Sequence, residues 1–87
     1  MMSTTFLKAK LTTDLRNVVT AKRKSEHEGG YPYETMVVSQ IGEHVVVEAK
    51  AQDLMFLLGM LAGMGEDGLV SVEPLVYRSM RAGRKLA

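Results

Sequence analysis

The chain predicts an α+β fold. It reads as one small domain in which a β-hairpin and a third strand pack against an apolar helix, with a further helix near the N-terminus. Three observations predict it. β-Branched residues cluster at 35–41 and 44–50 on either side of Gly42-Glu43, the pattern of a hairpin. An unbroken apolar run at 54–64 is too long for an ordinary strand and reads as a helix. At 87 residues the chain has room for one core and no second domain.

The elements follow in order. Phe6 to Leu11 satisfies two periods at once. Leu7, Ala9 and Leu11 alternate with Lys8 and Lys10, as in a strand, yet Leu7, Leu11, Leu15, Val18 and Val19 also share a helical stripe. The segment is therefore a strand leading into a helix, or that helix's first turns. A helix is predicted over 13–27. Thr12-Thr13-Asp14 resembles a helix start, Lys22-Arg23-Lys24 suits the negative end of the helix dipole, and Gly29-Gly30 ends the helix. Residues 25–33 form a loop around Gly29-Gly30 and Tyr31-Pro32-Tyr33. In the hairpin, Val45 and Val47 alternate with His44, Val46 and Glu48, so both faces are partly apolar and both are expected to be covered.

The next helix is predicted over 51–64, closed by Gly65-Glu66-Asp67-Gly68. A third strand follows at 68–72. Pro74 cannot continue a central strand and suits the first turn of a final helix over 75–82, with a strand through Tyr77 as the alternative.

Composition bounds function. Hydrophobic residues make up 46% of the chain and charged residues 24%, which excludes a disordered or collagen-like chain. The chain has no cysteine, so disulfides, thiolate metal sites and cysteine nucleophiles are excluded. The longest apolar run is eleven residues with glycine counted, against about 20 for a membrane span. No targeting segment is visible, and a soluble, cytoplasmic protein is expected without membrane contact.

The net charge of +1 hides segregation. Residues 1–24 carry six cations against Asp14, residues 25–75 carry nine acids against Lys50, and residues 76–87 carry Arg78, Arg81, Arg84 and Lys85. The chain is basic at both ends and acidic between them, an arrangement that favours self-association or a charged partner.

No constellation for catalysis is present. His27 sits in Glu26-His27-Glu28, where neighbours do not share a helix face, so the triplet is not a metal chelate. His44 and Glu48 share a strand face but stand roughly 13 Å apart by strand rise. The serines lack the setting of an activated nucleophile, and the glycines do not spell a phosphate loop. The reading is non-enzymatic, with no catalytic residue, cofactor or metal.

The apolar helix points to self-association, through that helix or through the sheet edge. It is apolar around its circumference, and a chain of this size buries only roughly 60–65% of its unfolded surface. Gly59 and Gly63 stand four apart, a spacing that lets a backbone approach closely, whether the sheet of the same chain or a second copy. Met55, Gly59, Met60 and Gly63 are the expected self-association residues of a homodimer or higher oligomer, the methionines supplying adaptable surface.

Partner contacts are expected from Tyr31 and Tyr33 on the glycine-rich loop, from Lys22, Arg23 and Lys24 beside it, and from Arg78, Arg81 and Arg84 in the tail. A protein partner is the leading reading. Nucleic acid or a nucleotide, gripped by the same cations, is the alternative, although the isoelectric point of 8.1 lies below the ~9 that marks nucleic-acid binders.

In overall texture the chain resembles small bacteriophage accessory proteins of the host-takeover or anti-defence kind: a single short domain, no cofactor motif, no cysteine and expected self-association. The resemblance covers the whole chain but rests on no motif, so no functional residue carries over. It implies a non-catalytic inhibitor that binds a host component, a defence protein or a signalling nucleotide.

Overall fold

The computed structural model describes residues 5–75. Six elements follow one another: β1 (Phe6–Leu11), α1 (Leu15–His27), β2 (Met36–Ile41), β3 (His44–Lys50), α2 (Ala51–Gly63) and β4 (Leu69–Pro74). The strands form one antiparallel sheet in the order β2-β3-β1-β4. This α+β succession with that strand order is the ferredoxin-like arrangement.

Tertiary pairing decides the ambiguous first segment in favour of the strand. β1 pairs with β3 on one side, Ala9 opposite Val47 and Leu11 opposite Val45, and with β4 on the other. In that register Ala9 and Leu11 are fully buried while Lys10 is exposed. A helix here would leave β3 without its central partner.

The core lies between one face of the sheet and the two helices. Ala9, Leu11, Val45, Val47 and Ala49 come from the sheet, Val18 and Ala21 from α1, and Leu54, Leu57 and Leu61 from α2. Each fully buried valine or leucine among them stabilises the fold by about 1.5–3 kcal/mol. Small residues at Ala9, Ala21 and Ala49 let the helices sit close to the strands. The other face of the sheet is open among the described residues: Val37 and Ile41 are exposed, and Lys8 pairs with Glu73 at 3.5 Å across β1 and β4. On that same face Val46 is buried, so the expected cover over both hairpin faces is met only in part by the described residues.

The turns explain the register. Gly42 opens the two-residue hairpin turn at φ 63°, the sign that a type II′ turn demands at that position. Gln40 Nε2 donates across the turn to the Gly42 and His44 carbonyls at 3.1 and 3.2 Å. α2 ends in a Schellman motif: Gly65 N–H donates to Ala62 O and Glu66 N–H to Leu61 O, both at 3.0 Å.

Two local expectations change. Thr12 and Thr13 do not cap α1. Asp14 holds the cap position without a side-chain cap bond, and the first turn carries no acid. The threonines serve the entry to β4 instead, where Thr12 N–H donates to Gly68 O at 2.7 Å. The two backbones come so close there that a Cβ on Gly68 would lie 2.4 Å from Thr13 Oγ1. Pro74 does not open a helix. It closes β4 opposite Leu7, and Leu75 N–H then donates to Phe6 O at 2.9 Å. Proline is tolerated because β4 is an edge strand. The rest of the final helix expected over 75–82 lies outside the described residues, as do Arg78, Arg81 and Arg84. Among the described residues no helix is long and apolar enough to cross a membrane.

Candidate interaction surface

The outward side of the helical layer gathers most of the residues singled out from the sequence. α2 buries Leu54, Leu57 and Leu61 against the sheet. The same helix then turns Met55 outward at 59% exposure and Phe56 at 39%. Gly59 and Gly63 lie on this outer side, and nothing stands within 4 Å of a Cβ built on either. Their face does not pack on the sheet, and the α2 backbone is bare there. Met55, Phe56, Gly59, Met60, Gly63 and Met64, with Lys24 from α1, line an open apolar depression of about 470 Å³. The four expected self-association residues thus share one surface.

The loop between α1 and β2 closes one end of that surface. Tyr31 and Tyr33 do not project as a binding tip; both fold back onto the helices. The Tyr31 ring stacks on Phe56 with centroids 4.2 Å apart and 14° between planes. Its hydroxyl donates to Asp53 Oδ1 at 2.8 Å, and Glu34 N–H reaches Asp53 Oδ2 at 3.4 Å. Asp53 is buried in the first turn of α2, where the helix dipole favours its charge. The bond to Asp53, partial desolvation and that carboxylate's charge all hold the Tyr31 hydroxyl above the ordinary tyrosine range. The Tyr33 hydroxyl hydrogen-bonds the fully buried Ser25 Oγ at 2.9 Å. Burial is the first cause that pushes Tyr33 up as well, with the Ser25 bond acting in the opposite direction.

The cations of α1 divide into engaged and free. Lys22 pairs with Glu26 at 2.8 Å and lies over the Tyr33 ring, 5.7 Å from its centroid. Lys24 pairs with Glu28 at 3.7 Å. Arg23 has no ion pair among the described residues, and neither has Arg16. The two arginines line an open groove of about 530 Å³ with Val19, Thr20 and Gln40. Positions 16, 20 and 23 fall on one helical face, with the arginines about 10 Å apart along the axis.

The structure therefore joins Lys24 to the methionine–glycine surface, joins Lys22 to the tyrosines, and sets Arg23 on a separate groove. Arg16 was missed by reading Lys22-Arg23-Lys24 as a consecutive run. The i, i+7 spacing to Arg23 was the available signal. Phe56 was missed as a surface residue because it sits in a continuous apolar run. No local signal marks Asp53 as the partner of Tyr31. Among the described residues no three His, Asp or Glu side chains converge as metal ligands. The chain matches no protein-family model and no curated protein.

Proposed function

We propose that this protein is a non-enzymatic, self-associating binding protein that acts by occupying a macromolecular partner. The observations that carry the reading are two exposed surfaces of the helical layer, an apolar depression centred on α2 and a separate groove on α1 lined by Arg16 and Arg23. Exposed Met55 and Phe56 beside bare glycine backbone supply a desolvation-driven contact. Arg16 and Arg23, unpaired among the described residues, supply directional donors for carboxylates or phosphates. A protein partner meets the cationic groove on α1. The resemblance in texture to small bacteriophage accessory proteins implies the same non-catalytic reading.

The test places a photo-crosslinking residue at Thr20, in the groove between the arginines. Irradiation in an extract of the native host cell should give one discrete protein adduct, and Arg16→Glu with Arg23→Glu should abolish it. Absence of an adduct, or an adduct that survives the double reversal, overturns the assignment.

One observation favours a second reading, nucleic-acid binding: two free arginines on one helix face suit phosphate contacts. Base stacking has less support, because Tyr31 already stacks on Phe56 and its hydroxyl is engaged. Labelled duplex and single-stranded DNA and RNA, compared at about 50 and 200 mM salt, separate the readings. Tight binding that collapses with salt would replace the protein-partner reading.

A further inference from the structure

We infer that β4 is a self-pairing edge: a second copy of this chain adds its own β4 antiparallel to it, about a two-fold axis at Val72, joining the two four-stranded sheets into one. The inference rests on the self-associating part of the proposed function and names the arrangement.

The main chain of β4 is open on one side. Leu75 N–H donates to Phe6 O, and Ala51 N–H to Thr5 O, both at 2.9 Å. Bonded and unbonded pairs alternate along an antiparallel ladder. In these registers Lys8 and Lys10 therefore bond towards β4, at Glu73 and Ser71, while Leu7, Ala9 and Leu11 bond towards β3. Val72, between Ser71 and Glu73, turns its N–H and C=O away from β1. Pro74 lacks a donor where β1 requires none. No described strand lies beyond β4. An edge of this kind is a template for another strand.

Its side chains are open as well. Every residue of β4 is exposed, including Leu69, Val70 and Val72. Val72 lies opposite Ala9, on the helix side of the sheet, yet it is 40% exposed where Ala9 is fully buried. The other edge differs. On β2 the helix-side residues Met36 and Val38 already pack against the core. Pro74 at one end of β4 and a register shift near Leu69 at the other blunt its ends and leave its middle open.

Self-complementarity names the occupant. Outward-bonding residues must meet outward-bonding residues, so the axis falls at Ser71, Val72 or Glu73. At Glu73 it would set two carboxylates face to face. At Ser71 it would set Glu73 against Leu69. At Val72 the two Val72 residues exchange both main-chain bonds, Val70 falls opposite Pro74, and Glu73 falls opposite Ser71 of the other copy. Lys10, which has no ion pair among the described residues, stands beside Ser71 on the outer face. Glu73 of the second copy comes next in that row. Two strand spacings put its Cα roughly 10 Å from that of Lys10, within reach of two extended side chains across a short serine. The Glu73 side chain is 59% exposed and stands 3.5 Å from Lys8 of its own chain. The pairing thus sets it between two cations, one from each copy, and it does so twice.

Amide hydrogen exchange resolved by NMR reads the pairing on the natural chain. The Ser71 and Glu73 amides, bonded to β1, should exchange slowly at every concentration. The Val72 amide should exchange freely in dilute protein and at least ~tenfold more slowly where light scattering gives a dimer. Val72→Lys, at an exposed position, should keep its circular dichroism, stay monomeric and lose that protection. Val72→Cys should form an intermolecular disulfide under mild oxidation, since the chain has no cysteine of its own. Val37→Cys, exposed on the opposite edge strand, should not.

A Val72 amide that is slow at every dilution overturns the inference, because the edge is then covered within one chain. A Val72 amide that stays fast in a dimer sinks the edge pairing alone, and self-association stands. A monomer at every concentration sinks both. The partner assignment is judged separately by the Thr20 adduct, and Arg16→Glu with Arg23→Glu should leave the Val72 protection unchanged.

Discussion

Tyr31 shows how one side chain links a loop to two helices. Its ring covers Phe56 and its hydroxyl satisfies buried Asp53. In the unfolded chain a tyrosine titrates near about 10. In the folded chain Tyr31 is held higher, chiefly by the bond to Asp53, because ionisation would set a phenolate against that carboxylate. The stabilisation is therefore complete below about pH 10 and is lost as pH rises through the higher folded value. Tyr33 acts in the same direction, with burial as the first cause. An alkaline titration followed by tyrosinate absorbance and circular dichroism should show loop release together with ionisation. Tyr31→Phe should lower the thermal midpoint at neutral pH and blunt the alkaline loss. Gly68 tests the opposite constraint, lack of space. A Cβ there meets Thr13 Oγ1 at 2.4 Å and Thr13 N at 2.8 Å, and Thr13 is buried. Gly68→Ala should cost about 1–3 kcal/mol in urea unfolding.

At the scale of elements, α2 has two unlike sides. Leu57 is fully buried, so Leu57→Ala should cost about 2–5 kcal/mol by chemical denaturation. Met55 is mostly exposed, and Met55→Ala in the dilute monomer should change stability by no more than about 0.5 kcal/mol. Gly59→Ala should stabilise the monomer by about 0.5–1 kcal/mol, since glycine weakens a helix interior and nothing crowds the site. A helix that keeps glycine at an open position gives up that stability. The hairpin and α2 were legible to within a residue or two, because their periods and turn residues are local. β1 was not, because both periods fit Phe6 to Leu11 and only pairing with β3 and β4 separates them. Pro74 was misread for a related reason: an edge strand tolerates what a central strand does not.

For the molecule as a whole, the proposed self-association would couple stability to concentration, because a dimer that forms only from folded chains gains stability by mass action. On that proposal the thermal midpoint should rise with protein concentration, and a midpoint independent of concentration would overturn it. The segregated charge acts at the same scale. Lys8–Glu73, Lys22–Glu26, Lys24–Glu28 and Lys50–Glu34 are ion pairs within the chain. Such exposed pairs contribute little each, about 0–1 kcal/mol, but they neutralise cations that a sequence count would assign to a partner. Among the described residues Lys10, on the outer face of the sheet, and Arg16 and Arg23, on a groove that Gln40 of β2 also lines, are left without an ion pair.

The sequence by itself determined the α+β class, the hairpin, the apolar helix and the crowding of apolar residues beyond what so short a chain covers. These follow from periods and turn chemistry acting within a few residues. Only the tertiary structure decided which side of α2 faces outward, that the tyrosines clasp the helices, and which cations remain free. Those outcomes depend on groups far apart in the chain. Tyr31 and Asp53 are separated by 22 positions and Asn17 and Glu66 by 49, and no local pattern records such a meeting until the sheet has brought the two helices side by side.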